Sequence, residues 1–118
     1  MGRTIKPRTV CMEKDLAFIP KTGDDVTPIK VTMEEYETIR LIDYEGLSQI
    51  ECAAMMEVSR STVQSIYDSA RYKISDALMN QKSIIIKGGH YQLCNHGKSV
   101  EHCAKNKLYN KHESWYWI

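Results

Sequence analysis

The middle of the chain reads Leu47-Ser-Gln-Ile-Glu-Cys-Ala-Ala-Met-Met-Glu-Val-Ser-Arg-Ser-Thr-Val63, which combines the signals of two consecutive helices. Ser48 and Glu51 have the spacing of a capping box, which satisfies the first backbone N–H groups of a short helix. Ser59 is a second N-cap about two turns later and opens a longer helix. Ala53 is small, so the two helices can approach closely. The stretch therefore predicts a helix-turn-helix, in which the N-terminal residues of the second helix face outward.

The flanking residues extend this pair to a three-helix core. Thr32 and Glu35 repeat the capping-box spacing, and Gly46 can adopt the left-handed conformation that ends a helix. Apolar residues at near-helical spacing predict the buried stripe of the first helix, namely Met33, Tyr36, Ile39 and Ile42. The inward positions of the longer helix, which should run to about Asn80, are Val63, Ile66, Ala70, Ile74 and Ala77.

Three regions follow along the 118 residues. Residues 1–31 contain all three prolines and form a basic arm with a possible short strand at residues 9–12. Residues 32–94 form the helix-turn-helix domain, in which the β-branched run Ser83-Ile-Ile-Ile-Lys87 is a short strand that could pair with the arm. Residues 95–118 are a Cys- and His-containing polar tail. The predicted fold class is mainly α, a three-helix helix-turn-helix core with short flanking β-strands and that tail.

Composition restricts the class of protein. Apolar residues make up 42% of the chain and charged residues 26%, the balance of a soluble domain with one modest core. No run approaches the ~18 apolar residues of a membrane span, so we expect a cytoplasmic protein whose four cysteines stay reduced. The net charge is only +1, but acidic residues dominate positions 33–58 and basic residues dominate after Arg60. One face could therefore meet phosphate while another avoids it.

Two stretches carry a family resemblance. Val58-Ser-Arg-Ser-Thr-Val63 and Ser69-Ala-Arg-Tyr-Lys-Ile-Ser-Asp-Ala-Leu78 resemble the winged-helix-like helix-turn-helix of sigma-factor region four, which recognises promoter DNA. The resemblance implies a sequence-specific DNA-binding protein that regulates transcription. The chain departs from the usual pattern at Glu57, since glycine commonly occupies the left-handed turn position and another residue costs about 1 kcal/mol there.

The sigma-like geometry also implies which side chains would meet double-stranded DNA. The candidates for base contact, on the outward early face of the recognition helix, are Arg60, Ser61, Gln64 and Ser65. The candidates for phosphate contact are Gln49, Thr62, Arg71 and Lys73. Arginine suits guanine and glutamine suits adenine. Because one such module touches few base pairs, we expect a homodimer, with the short strands and Trp115-Tyr-Trp117 as candidate dimer surfaces.

A second resemblance is closer. Val31-Thr-Met-Glu-Glu-Tyr-Glu-Thr-Ile-Arg-Leu-Ile-Asp-Tyr-Glu-Gly46 and Lys87-Gly-Gly-His-Tyr-Gln-Leu-Cys94 resemble an uncharacterised prokaryotic family of predicted DNA-binding proteins, over roughly residues 3–94. Relatives in that family often carry a cysteine-rich tail.

Four residues form a candidate metal site. Cys11, Cys94, His96 and Cys103 would supply three thiolates and an imidazole to zinc or another soft metal, if the arm pairs with the strand at residues 84–86. The alternative is ordinary reduced thiols, because no Cys-x-x-Cys occurs.

A protein-interaction role and an enzymatic role are the alternatives to DNA binding. A three-helix unit can also be a protein-interaction module, or a metal- or redox-responsive one, without direct DNA binding. The sequence contains no Gly-rich phosphate loop, zinc-protease His pair or nucleophile elbow, so no enzyme is expected.

Overall fold

A computed structural model describes residues 6–11, 13–21 and 27–94 of the chain. Its strands are β1 (Arg8–Val10), β2 (Leu16–Phe18), β3 (Ile29–Val31), β4 (Ile84–Ile86) and β5 (Tyr91–Leu93). Its α-helices are α1 (Met33–Thr38), α2 (Gln49–Met56) and α3 (Arg60–Asn80), and a π-helix over Ile39–Tyr44 continues α1. No helix in these ranges is both long and apolar enough to cross a membrane.

The strands form two small sheets around the helices. In the first, β1 pairs in parallel with β5. In the second, β4 lies between β2, which is antiparallel to it, and β3, which is parallel. The predicted pairing of residues 84–86 with the arm is therefore right, but the partners are β2 and β3, whereas the strand predicted at residues 9–12 pairs with β5.

The sheets belong to the core, so the mainly-α prediction is only partly right. Val31 and Ile86 are buried with Met33 in one apolar cluster, and Val10 of β1 is fully buried. A second cluster joins the three helices and contains Leu41, Leu47, Cys52, Ala53, Met56 and Val63. The fold is thus a three-helix core with two small sheets packed against it.

The predicted helix starts are confirmed. Thr32 and Glu35 form one capping box and Ser48 and Glu51 another, and Ser59 accepts a hydrogen bond from the backbone of the first turn of α3. Each cap uses residues at most three positions apart, and such local contacts can be read from sequence.

The predicted buried stripe of the first helix is only partly right. Met33 is buried, but Tyr36, Ile39 and Ile42 are only half-buried, and Leu41 is fully buried instead. The buried side chains Met33, Glu37 and Leu41 are four positions apart, so the inward face includes a charged residue, which a search for apolar residues alone passes over. The helix continues as a π-helix, in which hydrogen bonds span five residues, as from the Glu45 N–H to the Arg40 carbonyl at 2.9 Å.

Candidate nucleic-acid interface

The four predicted base-contact residues lie together. Arg60, Ser61, Gln64 and Ser65 occupy the first two turns of α3, and all four side chains are exposed. The first turn contains no acidic residue, so nothing there opposes the partial positive charge of the helix N-terminus. This group of four is called the α3 face below.

The turn before the α3 face is short and keeps a left-handed residue. Residues 57–59 connect α2 to α3, and Glu57 has φ 58° and ψ 43°. Glu57 therefore adopts the left-handed conformation that glycine commonly provides at this position. The Thr9 hydroxyl donates a 2.5 Å hydrogen bond to the Glu57 carboxylate and accepts one from the Gln92 amide at 3.1 Å. The paired strands β1 and β5 thus hold the turn through a contact that sequence reasoning missed.

We expect this contact to offset the strain at Glu57. Thr9→Val, which keeps the side-chain shape, should lower the free energy of unfolding by about 1 to 2 kcal/mol, because it removes a hydrogen bond to a charged group. In a Glu57→Gly background the same change should cost much less, since the carboxylate is gone and glycine tolerates positive φ. Urea denaturation of the four chains measures the coupling. Equal losses in both backgrounds would show that the bond contributes nothing.

The predicted phosphate contacts are not brought together as a set. Arg71 is exposed, and Thr62 and Gln49 are half-buried. The side-chain oxygen of Gln49 is buried without a hydrogen-bond partner in the described ranges. Lys73 is half-buried, and its ammonium group donates to Glu35 at 2.8 Å and to the Lys30 carbonyl at 3.0 Å. Lys73 is therefore a bridge between α3 and α1.

The pKa of Glu35 reflects this bridge. Burial alone would raise the pKa of the carboxyl, but hydrogen bonds from Lys73, Ser69 and the Thr32 backbone outweigh burial and lower it. Glu35 therefore serves both as the capping residue of α1 and as the acceptor for α3. The sequence predicted the capping role from the spacing of Thr32 and Glu35, but it gave no sign of the bonds to α3.

Arg71 is positioned by an aromatic side chain. Its guanidinium lies 5.4 Å from the centre of the Tyr67 ring, within the range of a cation–π contact. The Tyr67 hydroxyl donates to Asp43 at 2.7 Å, and burial together with this bond raises the pKa of Tyr67 to about 12. Tyr67 thus ties α3 to the π-helix and leaves Arg71 at the surface.

Acidic residues before the α3 face are partly neutralised inside the protein. Of the seven acids at positions 33–58, Glu35, Glu37 and Glu45 are buried. Arg40 forms ion pairs with Glu37, at 3.0 Å, and with Glu45. The other oxygen of Glu37 accepts the backbone N–H of Cys11 at 3.0 Å. The Glu37–Arg40 spacing of i, i+3 was the available sequence signal for this network.

Two of the four candidate metal ligands become neighbours. The register of β1 and β5 pairs Val10 with Leu93, so Cys11 and Cys94 follow side by side, and the Cys94 N–H donates to the Val10 carbonyl at 2.9 Å. This adjacency arises from β5 and not from the strand at residues 84–86. His96 and Cys103 lie outside the described residues. Within the described ranges, no three His, Cys, Asp or Glu side chains come together as a metal site, and the four-ligand set stays a prediction.

Fold and site together define a small domain in which a short helix, a left-handed turn and a long helix present an exposed polar face. The chain belongs to the family described as Protein of unknown function DUF134, whose model matches residues 1–94. This confirms the predicted membership of an uncharacterised prokaryotic family.

Relatives share most of the chain. It is similar to UPF0251 protein DSY3441 of Desulfitobacterium hafniense strain Y51, with 47% identity over 97 residues, 80% of this chain and 78% of the relative. It is also similar to UPF0251 protein TTE1845 of Caldanaerobacter subterraneus subsp. tengcongensis, with 45% identity over 96 residues, 79% of this chain and 81% of the relative. No solved structure matches the chain.

Proposed function

We propose that this chain is a sequence-specific DNA-binding protein that regulates transcription, with α2 and α3 as a helix-turn-helix. The observation that carries the proposal is the α3 face, where four exposed polar side chains stand at the N-terminus of a helix that a three-residue turn joins to α2. This is the arrangement that places base-reading side chains in the major groove.

The chemistry of the α3 face suits base edges. Arg60 can form two parallel hydrogen bonds to guanine, Gln64 can do the same with adenine, and the serines are permissive donors and acceptors. The serine side chains are short, and those of Arg60 and Gln64 are long and unbranched up to their polar ends. No bulky group of the α3 face therefore obstructs the approach of the helix to the groove. The N-terminal backbone N–H groups can also face a phosphate.

The remaining contacts would set position and not sequence. Arg71 lies two turns or more beyond the first base-reading residues and is the exposed cation best placed to follow the phosphate backbone. Lys73 is left out of the proposed interface because its ammonium group is bound by Glu35 and the Lys30 carbonyl. One such module reads few base pairs, so we propose that the protein binds as a dimer on paired half-sites.

The two arginines give the test. Arg60→Ala should weaken binding to the preferred site by ~1 to 3 kcal/mol and relax the base preference at one position. Arg71→Ala should weaken binding to all sequences alike and reduce the dependence of affinity on salt. Sites are selected from a random duplex pool with each variant, and affinities are measured over a range of salt concentrations.

Lys87→Ala is the control, because Lys87 is an exposed cation at the end of β4, outside α2 and α3. It should match the parent protein in both measurements. Indistinguishable selection profiles for the Arg60 and Arg71 variants would contradict the division of roles. A parent protein without salt-dependent affinity for duplex DNA would contradict the proposed function itself.

A further inference from the structure

One side of the three-stranded sheet leaves large apolar side chains at the surface. Phe18 at the end of β2 is 58% exposed and Ile19, the next residue, is 72% exposed. Leu78 in the last turns of α3 is 67% exposed. Residues of this kind occur singly on most surfaces, but here they adjoin one another around the same clefts.

Two apolar clefts join these side chains into a single surface. The first, of about 260 Å³, lies between the sheet and the helices, and its lining is apolar and includes Phe18, Ile74 and Ile84. The second, of about 250 Å³, shares Phe18 and Ile84 and is also lined by Ile19 and Leu78. Its lining is mainly apolar and also includes Gln81 and Lys82. The surface around both clefts, formed by β2, Ile19 and the last turns of α3, is called the β2 face below.

We infer that the β2 face is where a second copy of this chain packs, across a two-fold axis. A two-fold contact uses the same surface on both copies, so that surface must be complementary to itself. The β2 face meets this requirement because it carries protruding apolar side chains beside apolar clefts. Phe18 and Ile19 of one copy can enter the clefts of the other, and the reverse contact follows by symmetry.

The backbone of β2 also favours a second copy of this chain as the partner. Within the described ranges, β2 is hydrogen-bonded on one side only, to β4, so its other edge is open. An open edge is a template for a further strand. A two-fold axis perpendicular to the strand relates two copies of it in antiparallel fashion, so two β2 strands can extend the sheet from one copy to the next.

The apolar area of the β2 face also matches that of a contact between two protein chains. Phe18, Ile19 and Leu78, together with Leu16 at 36% exposure, present on the order of 500 Å² of apolar surface. A homodimer contact of ordinary size covers ~800 Å² on each copy, and about two-thirds of that is apolar. The β2 face therefore supplies about the apolar area that a stable dimer needs.

The position of the β2 face leaves the α3 face uncovered. α3 has 21 residues and is ~30 Å long, and Leu78 and Arg60 lie near its opposite ends. A contact at the Leu78 end therefore leaves both α3 faces free and apart, and binding to half-sites about 34 Å apart requires that both face the same side of the DNA. This consequence for half-sites rests on the proposed function, whereas the self-association does not.

A matched pair of substitutions tests the inference. Leu78→Glu places a charge in the β2 face, and Ile50→Glu places one on α2, where Ile50 has the same 67% exposure. Phe18→Glu is an independent second change in the β2 face. Sedimentation equilibrium without DNA should give the parent and the Ile50 variant twice the 13.6 kDa chain mass. Leu78→Glu and Phe18→Glu should weaken the dimer by about tenfold or more.

Circular dichroism and urea denaturation check that each variant is folded. Folded variants are the expected result, because the substituted positions are exposed. A parent protein that is monomeric at all concentrations overturns the inference, and this includes the case in which residues 95–118 of the same chain cover the β2 face. A dimer that survives both β2-face substitutions also overturns it. A dimer that responds as expected but binds no duplex DNA would sustain this inference and refute the proposed function.

Discussion

Arg40→Met is expected to lower the free energy of unfolding by about 3 to 5 kcal/mol, because it removes the cation from two buried carboxylates. Glu37 and Glu45 are each 1% exposed and both form ion pairs with Arg40. Burial alone would lower the pKa of Arg40, but its bonds and proximity to the two carboxylates raise it. Without the guanidinium, both carboxylates would stay buried and would lose the cation that they share.

Urea denaturation at neutral pH measures the loss. Lys82→Met is the matched control, since it breaks the ion pair between Lys82 and Asp76, at 3.1 Å, on a more exposed part of the protein. That change should cost far less, because ion pairs in water contribute little. The deficit of the Arg40 variant should shrink as the pH falls, because a protonated carboxyl needs no cation. Equal losses for the two variants would show that burial adds nothing to the Arg40 network.

Leu41→Ala is expected to lower the free energy of unfolding by about 2 to 5 kcal/mol, because it leaves a cavity in the cluster that joins the three helices. Leu41 is fully buried there, whereas Ile42 only packs against the edge of the cluster. Ile42→Ala should therefore cost less than Leu41→Ala. The buried stripe predicted from the sequence, which contains Ile42 and not Leu41, would give the reverse order.

The comparison also needs a control that measures the effect of helix propensity alone. Ile50→Ala supplies it, since Ile50 is a β-branched residue on a helix surface, and a change there should stay within about 0.5 kcal/mol. Thermal or urea denaturation of the three variants gives the ranking. An Ile42 variant that is less stable than the Leu41 variant would contradict the burial of Leu41 in this cluster.

Much of the helical architecture followed from residues that are close in sequence. The capping boxes at Thr32 and Ser48, the N-cap at Ser59 and the end of α3 at Asn80 all lie where the sequence predicts them. The exposure of the α3 face followed as well, because the apolar positions of α3 at steps of three or four assign its polar residues to the other side. Each of these features depends on contacts within about one helical turn.

The tertiary structure alone decided which distant groups meet. Thr9 bonds to Glu57 across 48 positions, and Lys73 bonds to Glu35 across 38. Strand partners belong to the same class, because a three-residue strand carries too little pattern to specify its neighbour. The burial of the acidic residues and the exposure of the β2 face likewise depend on how the folded elements pack. The physical reason is that caps and helical periodicity are interactions of neighbouring residues, whereas burial, strand pairing and ion pairing depend on where the folded chain places residues that are far apart in sequence.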